Sequence, residues 1–208
     1  RNARFDPTEL TAAVATDARA QNALEQFRKY GAKRCIAFCC SQRHANLMAE
    51  FFNARGVRSV AVHSGNESAP RTTSLKQLAN GELDVIFSVD VFNEGVDIPS
   101  IDTVLMLRPT ESTVIWRQQF GRGLRRAPDK PFLKVIDYVG NHRSFLVKLR
   151  SIAALAGRDA NSLGALRSIL EEIQKGLILP EGCSATYELE RIEILESLLN
   201  PARADAPL

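Results

Sequence analysis

The sequence predicts an α/β fold: a parallel sheet flanked by helices, followed by an all-helical C-terminal extension. Five short apolar runs rich in β-branched residues carry the first half of that expectation: "RCIAFCC" (34–40), "VRSVAVH" (57–63), "DVIFSVD" (84–90), "DTVLMLR" (102–108) and "FLKVIDYV" (132–139). Runs so continuously apolar suit strands buried on both faces. Longer amphipathic stretches alternate with them, and a repeating β-α order implies right-handed crossovers with helices on both sides of the sheet. Beyond about residue 140 the strand signal stops and helical spacing takes over.

In chain order, a lead helix is expected over 8–30, then the first strand, a helix over 42–55, the second strand and a helix over 69–80. The third and fourth strands follow, then a helix over 111–126 and the fifth strand. Helical patterns at 142–157, 162–176 and 186–200 are broken by Gly157, Gly164, "LPEG" and Pro201. These periods predict a strand-bearing domain over 1–150 and a helical extension over 151–208. In the extension Leu189, Ile192, Leu195 and Leu199 recur at helical spacing, as expected of a face packed on the parent domain.

Composition narrows the classes. The chain has 208 residues, of which 45% are hydrophobic and 25% charged, enough for one substantial core and an appendage. No apolar run approaches the roughly 18 to 20 residues that a membrane span needs, so no membrane partner is expected. The four cysteines, Cys35, Cys39, Cys40 and Cys183, lack metal-site spacing, and three of them sit in an apolar strand. Reduced core thiols of a cytoplasmic protein are the expectation, with no metal bound. The start, "RNARFDPTEL", has no initiator methionine and no apolar leader, and reads as a cut inside a longer polypeptide.

Charge is unevenly spread. From Arg108 to Arg150 ten basic residues face three acidic ones, whereas from Glu171 onwards eight acids face three bases. The middle suits phosphate and the tail does not.

In an open α/β sheet, function gathers in loops at the carboxyl ends of the strands. After the first strand, Ser41 in "CSQRH" is placed to cap the next helix, whose N-terminus is a potential phosphate site. After the second, "HSGNESAPR" brings Ser64, Gly65 and Arg71, though a plain turn explains most of it. After the third, "SVDVFNEGVDIPSID" (88–102) holds Asp90, Glu94 and Asp97 beside Ser88 and Asn93, with Gly95 and Pro99 as punctuation. Val96 and Ile98 alternate around Asp97, which reads as an aspartate held to contact a hydroxyl or a cation.

The stretch "WRQQFGRGLRR" (116–126) puts four arginines and two glycines into an expected helix. Each glycine costs roughly 1 kcal/mol there against alanine, so close approach by a backbone or ligand is implied. Gln118, Arg122 and Arg125 fall on one face, while Trp116 and Phe120 fall elsewhere and can anchor the helix. Two guanidiniums on one edge form a fork for phosphate oxygens. No G-x-x-x-x-G-K-[ST] occurs, so the chain offers arginines without a phosphate cradle. That combination suits the second half of a composite nucleotide site.

These segments together resemble superfamily 2 helicases and translocases. "CIAFCCS" looks like motif IV, "HSG" with Arg71 like the segment after it, "VIFSVDVFNEGVDIP" like motif V and "QQFGRGLR" like motif VI, in order over about 110 residues. The wording is similar to the bacterial restriction-enzyme-like branch rather than to the DEAD-box branch. The resemblance implies a C-terminal RecA-like domain that works with an N-terminal RecA-like domain holding most of the ATP and Mg2+. It implies Arg125 as arginine finger, Arg122 as a second γ-phosphate contact and Gln118 as an assistant. Gly95 and Asp97 would meet the nucleotide, and Ser41, Ser64, Gly65, Ser88 and Asn93 the nucleic acid, DNA ahead of RNA. Ser88 stands where the family commonly has threonine and keeps the hydroxyl. Lacking Walker A and DExx elements, the chain alone is expected not to hydrolyse ATP. The competing expectation is a RecA-like module that binds nucleic acid or protein without catalysis; a dinucleotide enzyme would need a G-x-G-x-x-G that is missing.

Overall fold

The computed structural model describes residues 11, 15–30, 33–91, 101–108, 130, 132–137, 150, 153, 154, 157, 158 and 162–174. The helices expected over 111–126 and 186–200 lie outside these residues. The chain forms two compact units, one of residues 1–109 with 115–138 and the other of 110–114 with 139–208.

In the first unit the described elements are α1 (Asp17–Tyr30), β1 (Cys35–Phe38), α2 (Gln42–Asn53), β2 (Ser59–Val62), α3 (Arg71–Ala79), β3 (Val85–Ser88), β4 (Thr103–Met106) and β5 (Lys134–Asp137). The expected lead helix over 8–30 is helical at Thr11 but not at Ala15 and Thr16. Thr16 instead starts α1: its Oγ1 accepts the Arg19 amide at 3.4 Å and its carbonyl accepts the Ala20 amide at 2.9 Å. A threonine followed by an aspartate competes with helix continuation and favours a fresh N-terminus.

All five strands are parallel, in the order β2-β3-β1-β4-β5. Cys35 stands level with Val85 on one side and Thr103 on the other. The chain leaves β1 for the far edge, returns through β3, then passes β1 to reach β4. With right-handed crossovers these opposite directions put α2 and α3 on opposite faces, each over β2 and β3.

Side-chain alternation then fills both layers. On the α1–α2 face, Cys35, Ala37 and Cys39 join Phe87, Leu105, Met48, Leu24 and Phe52 in one buried cluster. Phe52 lies at its centre, 5.8 Å from Phe27 and edge-on to Phe87 at 4.9 Å. Ile36, Phe38, Ile86, Val104 and Met106 are buried on alternate positions, and Leu78 of α3 is buried as well. Small residues at 35, 37 and 39 are what let two helices sit against one strand. After α2, Gly56 takes φ +79° and turns the chain toward β2.

The second unit, taken by itself, contains α4 (Leu163–Gln174). Ser162 Oγ accepts the Ala165 amide at 3.1 Å, and Arg158 grips Glu172 through two bonds of 2.7 and 2.9 Å. Leu166 and Ile169 bury the apolar side of this helix.

Candidate functional site

The carboxyl edge of the sheet brings Ser41, Ser64 and Gly65 together. Ser41, extended at φ −153° and ψ 162°, caps α2: its Oγ accepts the His44 amide at 3.2 Å and the Thr11 hydroxyl at 2.8 Å. The next residue, Gln42, reaches across to the loop after β2 and donates from Nε2 to Ser64 Oγ at 3.2 Å. Gly65 lies directly beneath that side chain. A Cβ there would stand 2.3 Å from Gln42 Oε1 and 3.1 Å from both Gln42 Cδ and His63 Nδ1.

A second set of bonds fixes the same loop from the side. The Gly65 amide donates to His63 Nδ1 at 3.0 Å, so the imidazole carries its proton on Nε2 and donates to Asn46 Oδ1 at 2.9 Å. Asn46 passes the chain on from Nδ2 to Glu67 at 2.9 Å. Meanwhile the His63 amide donates to Ser68 Oγ at 2.9 Å. Gln42 and Asn46 are one helical turn apart and lie on the same side of α2, so one helix face holds the whole turn.

Around the end of β1 lies a third group. Cys40 Sγ is 3.3 Å from His44 Nδ1, and the Cys40 amide also points at that nitrogen at 3.5 Å. Burial pushes His44 down to about 4, with the Arg19 charge acting in the same direction, so the ring is neutral and an acceptor. Burial also raises the Cys40 thiol, keeping it protonated and able to donate. Beside it, Asp90 adopts φ +55°, and the Val91 amide reaches the Val89 carbonyl at 2.7 Å. This is a tight γ-turn in a region that side-chain-bearing residues seldom occupy. Arg108, from the end of β4, donates to Asp90 Oδ1 at 2.7 Å across the end of β1.

Ser88 differs from the other serines. It ends β3 fully buried, its carbonyl accepting the Cys39 amide at 2.8 Å, and its Oγ has no hydrogen-bond partner among the described residues. Arg71 opens α3 and is exposed. Asn93, Gly95, Asp97, Gln118, Arg122 and Arg125 lie outside the described residues. Among the described residues, no group of three or more His, Cys, Asp or Glu is arranged to hold a metal ion, and no helix is long and apolar enough to cross a membrane.

Sequence reasoning missed Gln42, Asn46, His63 and Glu67. The legible signal was there in outline: two amides four residues apart, just inside a capped helix, opposite a loop whose glycine follows a histidine and a serine.

A parallel α/β sheet with a chain reversal at its central strand gathers polar loops at that strand's carboxyl end, the place where open α/β sheets bind ligands. Residues 19–127, just over half of the chain, match the model of the helicase conserved C-terminal domain. The chain belongs to that family, within the superfamily 2 helicases, and its sheet is the RecA-like one. It is 28% identical over 146 residues to the putative ATP-dependent helicase IRC3 of Saccharomyces cerevisiae, covering 70% of this chain and 21% of that protein. It is 33% identical over 70 residues to the DEAD-box ATP-dependent RNA helicase 35B of Oryza sativa subsp. japonica, covering 34% of this chain and 11% of that one. The chain thus spans about a fifth or less of the length of these relatives. The C-terminal domain of the DEAD-box protein Dbp5 shares the fold, with a TM-score of 0.56 at 13% identity over 74% of this chain and 89% of that one.

Proposed function

We propose that the chain is the second RecA-like lobe of an ATP-dependent nucleic-acid helicase or translocase, with a strand-bearing domain to about residue 150 and a helical extension after it. The observation that supports this most is the convergence of Ser41, Ser64 and Gly65 on one rigid carboxyl edge, in a chain of the helicase C-terminal family. Hydroxyls fixed this way suit the phosphates of a tracked strand, which gives sequence-independent, salt-sensitive binding. Ser88 adds an unpaired hydroxyl at the end of the neighbouring strand; because it is fully buried, its cover has to lift before it meets a phosphate. Asn93 completes this track.

On this reading ATP and Mg2+ are held mainly by an N-terminal RecA-like domain of the same polypeptide, with Gly95 and Asp97 touching the nucleotide. Arg125 enters as arginine finger, with Arg122 and Gln118 beside it, and neutralises charge developing on the γ-phosphoryl group as water displaces ADP. Such fingers contribute about 10³ to 10⁵ in rate. Residues 1–208 alone would then hydrolyse no ATP. The resemblance of residues 103–141 to the restriction-enzyme-like branch favours DNA over RNA as the track.

In the full-length polypeptide, Arg125→Ala is expected to lower nucleic-acid-stimulated ATP turnover about a thousandfold or more while strand affinity stays near the parent's. Unchanged turnover would overturn the finger; a parent polypeptide with no nucleic-acid-stimulated turnover would leave the non-catalytic binding module as the better account. Competition between DNA and RNA strands of one sequence decides the track.

A further inference from the structure

The opposite edge of the sheet carries a group of residues that the helicase reading does not use. Here α1 ends, and β1, β4 and β5 begin side by side: the Asp102 amide donates to the Arg34 carbonyl at 3.1 Å and the Lys134 amide to the Asp102 carbonyl at 2.9 Å. Those bonds bring the segments around 29–34, 102 and 130–134 into one place. Lys29 and Lys33 are exposed, and Arg34, Lys130 and Lys134 are half-buried. Asp102 lies among them, and its carboxylate accepts the Lys33 and Arg34 amides at 3.3 Å each and the Thr103 hydroxyl at 2.9 Å. Its oxygens are turned to these groups, while Lys29 and Lys33 lie at the exposed surface.

The same place holds the two large hydrophobic residues that are exposed among the described residues, Tyr30 at 40% and Phe132 at 57%. Lys29 Nζ lies 5.3 Å from the Tyr30 ring centre, and Lys134 Nζ lies 5.7 Å from that of Phe132 while donating to the Tyr30 carbonyl. Each open ring therefore has an ammonium at its face or rim.

We propose that this amino-edge patch is a second nucleic-acid contact, taking a single strand by stacking bases on Tyr30 and Phe132 while Lys29 and Lys33 meet its phosphates. The chemistry selects that ligand. An acidic peptide would engage the ammoniums and leave the rings idle, and an apolar protein surface would strip water from the exposed Lys29 and Lys33 ammoniums with little return. Flat π-faces strung on an anionic backbone satisfy both at once. The four residues of each strand, at about 3.3 Å apiece, separate this patch from the carboxyl-edge site. The inference rests on the nucleic-acid part of the function proposed above, and it can fail while the Arg125 result stands.

Fluorescence anisotropy with a labelled single strand of about 20 nucleotides tests it on the 208-residue chain. Tyr30→Ser with Phe132→Ser is expected to weaken binding at least tenfold, with the salt dependence unchanged. Lys29→Gln with Lys33→Gln is expected to reduce the slope of log K against log salt by about 1.4, at roughly 0.7 per phosphate contact. Thermal melts control for folding, since all four side chains are exposed. Parent-like affinity and slope in both pairs would overturn the proposal, as would a parent chain that binds a polyglutamate peptide but no single strand. A loss seen only with Ser64→Ala would place the binding at the carboxyl edge and overturn it equally.

Discussion

Gly65→Ala tests whether the loop after β2 is held by the side chain above it. The added Cβ would lie 2.3 Å from Gln42 Oε1, well inside contact distance, and 3.1 Å from His63 Nδ1. The backbone there is not left-handed, so the cost is steric rather than torsional. Gln42 is the flexible partner and must swing away, which breaks its bond to Ser64 and costs about 1 kcal/mol. His63 is less free, being held by the Gly65 amide and Asn46, so a few tenths of an ångström of crowding remain. The total is about 1 to 2 kcal/mol. Denaturant unfolding of Gly65→Ala, Gln42→Ala and the double variant measures it. Removing Gln42 first should recover about 1 kcal/mol of the alanine's cost, a coupling that double-mutant cycles resolve. Strict additivity, or a Gly65→Ala chain as stable as the parent, would refute the steric account.

Three further outcomes are expected. His44 has a native pKa of about 4 against 6.5 when unfolded. Stability is therefore full above 6.5 and is lost as pH falls toward 4, about 2 kcal/mol by pH 5 from this group, and His44→Gln should remove that slope in equilibrium unfolding at pH 7.5 and 5. Phe52→Ala empties the junction of α1, α2 and β3 and should cost about 3 to 5 kcal/mol by denaturant unfolding. Both Asp90→Ala and Asp90→Gly lose the Arg108 contact, but only alanine is strained at φ +55°, so glycine should be the more stable by about 1 kcal/mol in thermal unfolding.

The strands were legible because their burial leaves an unbroken apolar signature: "CIAF", "VIFS" and "TVLM" are buried at every position. The Ser41 cap was legible for a similar local reason, since a serine just ahead of an amphipathic run is a common helix start. The order of the strands was not, because β3 sits between β2 and β1 through contacts far apart in sequence. Thr16 shows the limit on helices: the apolar period ran through it, and the cap that restarts α1 is a single hydroxyl. The His63 network escaped for another reason. Its members come from a helix and a loop about 20 residues apart, and each looks ordinary until the bond from the Gly65 amide fixes the ring's tautomer.

Those bonds bear on how the lobe would work under the function proposed above. Ser41, Gln42 and Asn46 belong to α2 or its cap, and through them the loop at 63–68 is tied to a helix whose inner side is buried in the core. Moving Ser64 relative to Ser41 means breaking Gln42–Ser64 and disturbing the Gly65–His63 bond. Moving them together costs none of that. Ser41 and Ser64, proposed above to face phosphates from the ends of β1 and β2, are therefore expected to travel as one body, and on that reading a step along a strand would come from displacement of the whole domain against its partner. The γ-turn at Asp90 is the contrasting case: it is strained and exposed, and Asp90 forms an ion pair with Arg108. It leads into the segment that carries Asn93, Gly95 and Asp97. Under the function proposed above, a rigid edge to hold the strand and a strained entry to the loop proposed to meet the nucleotide would divide holding from switching within one small sheet.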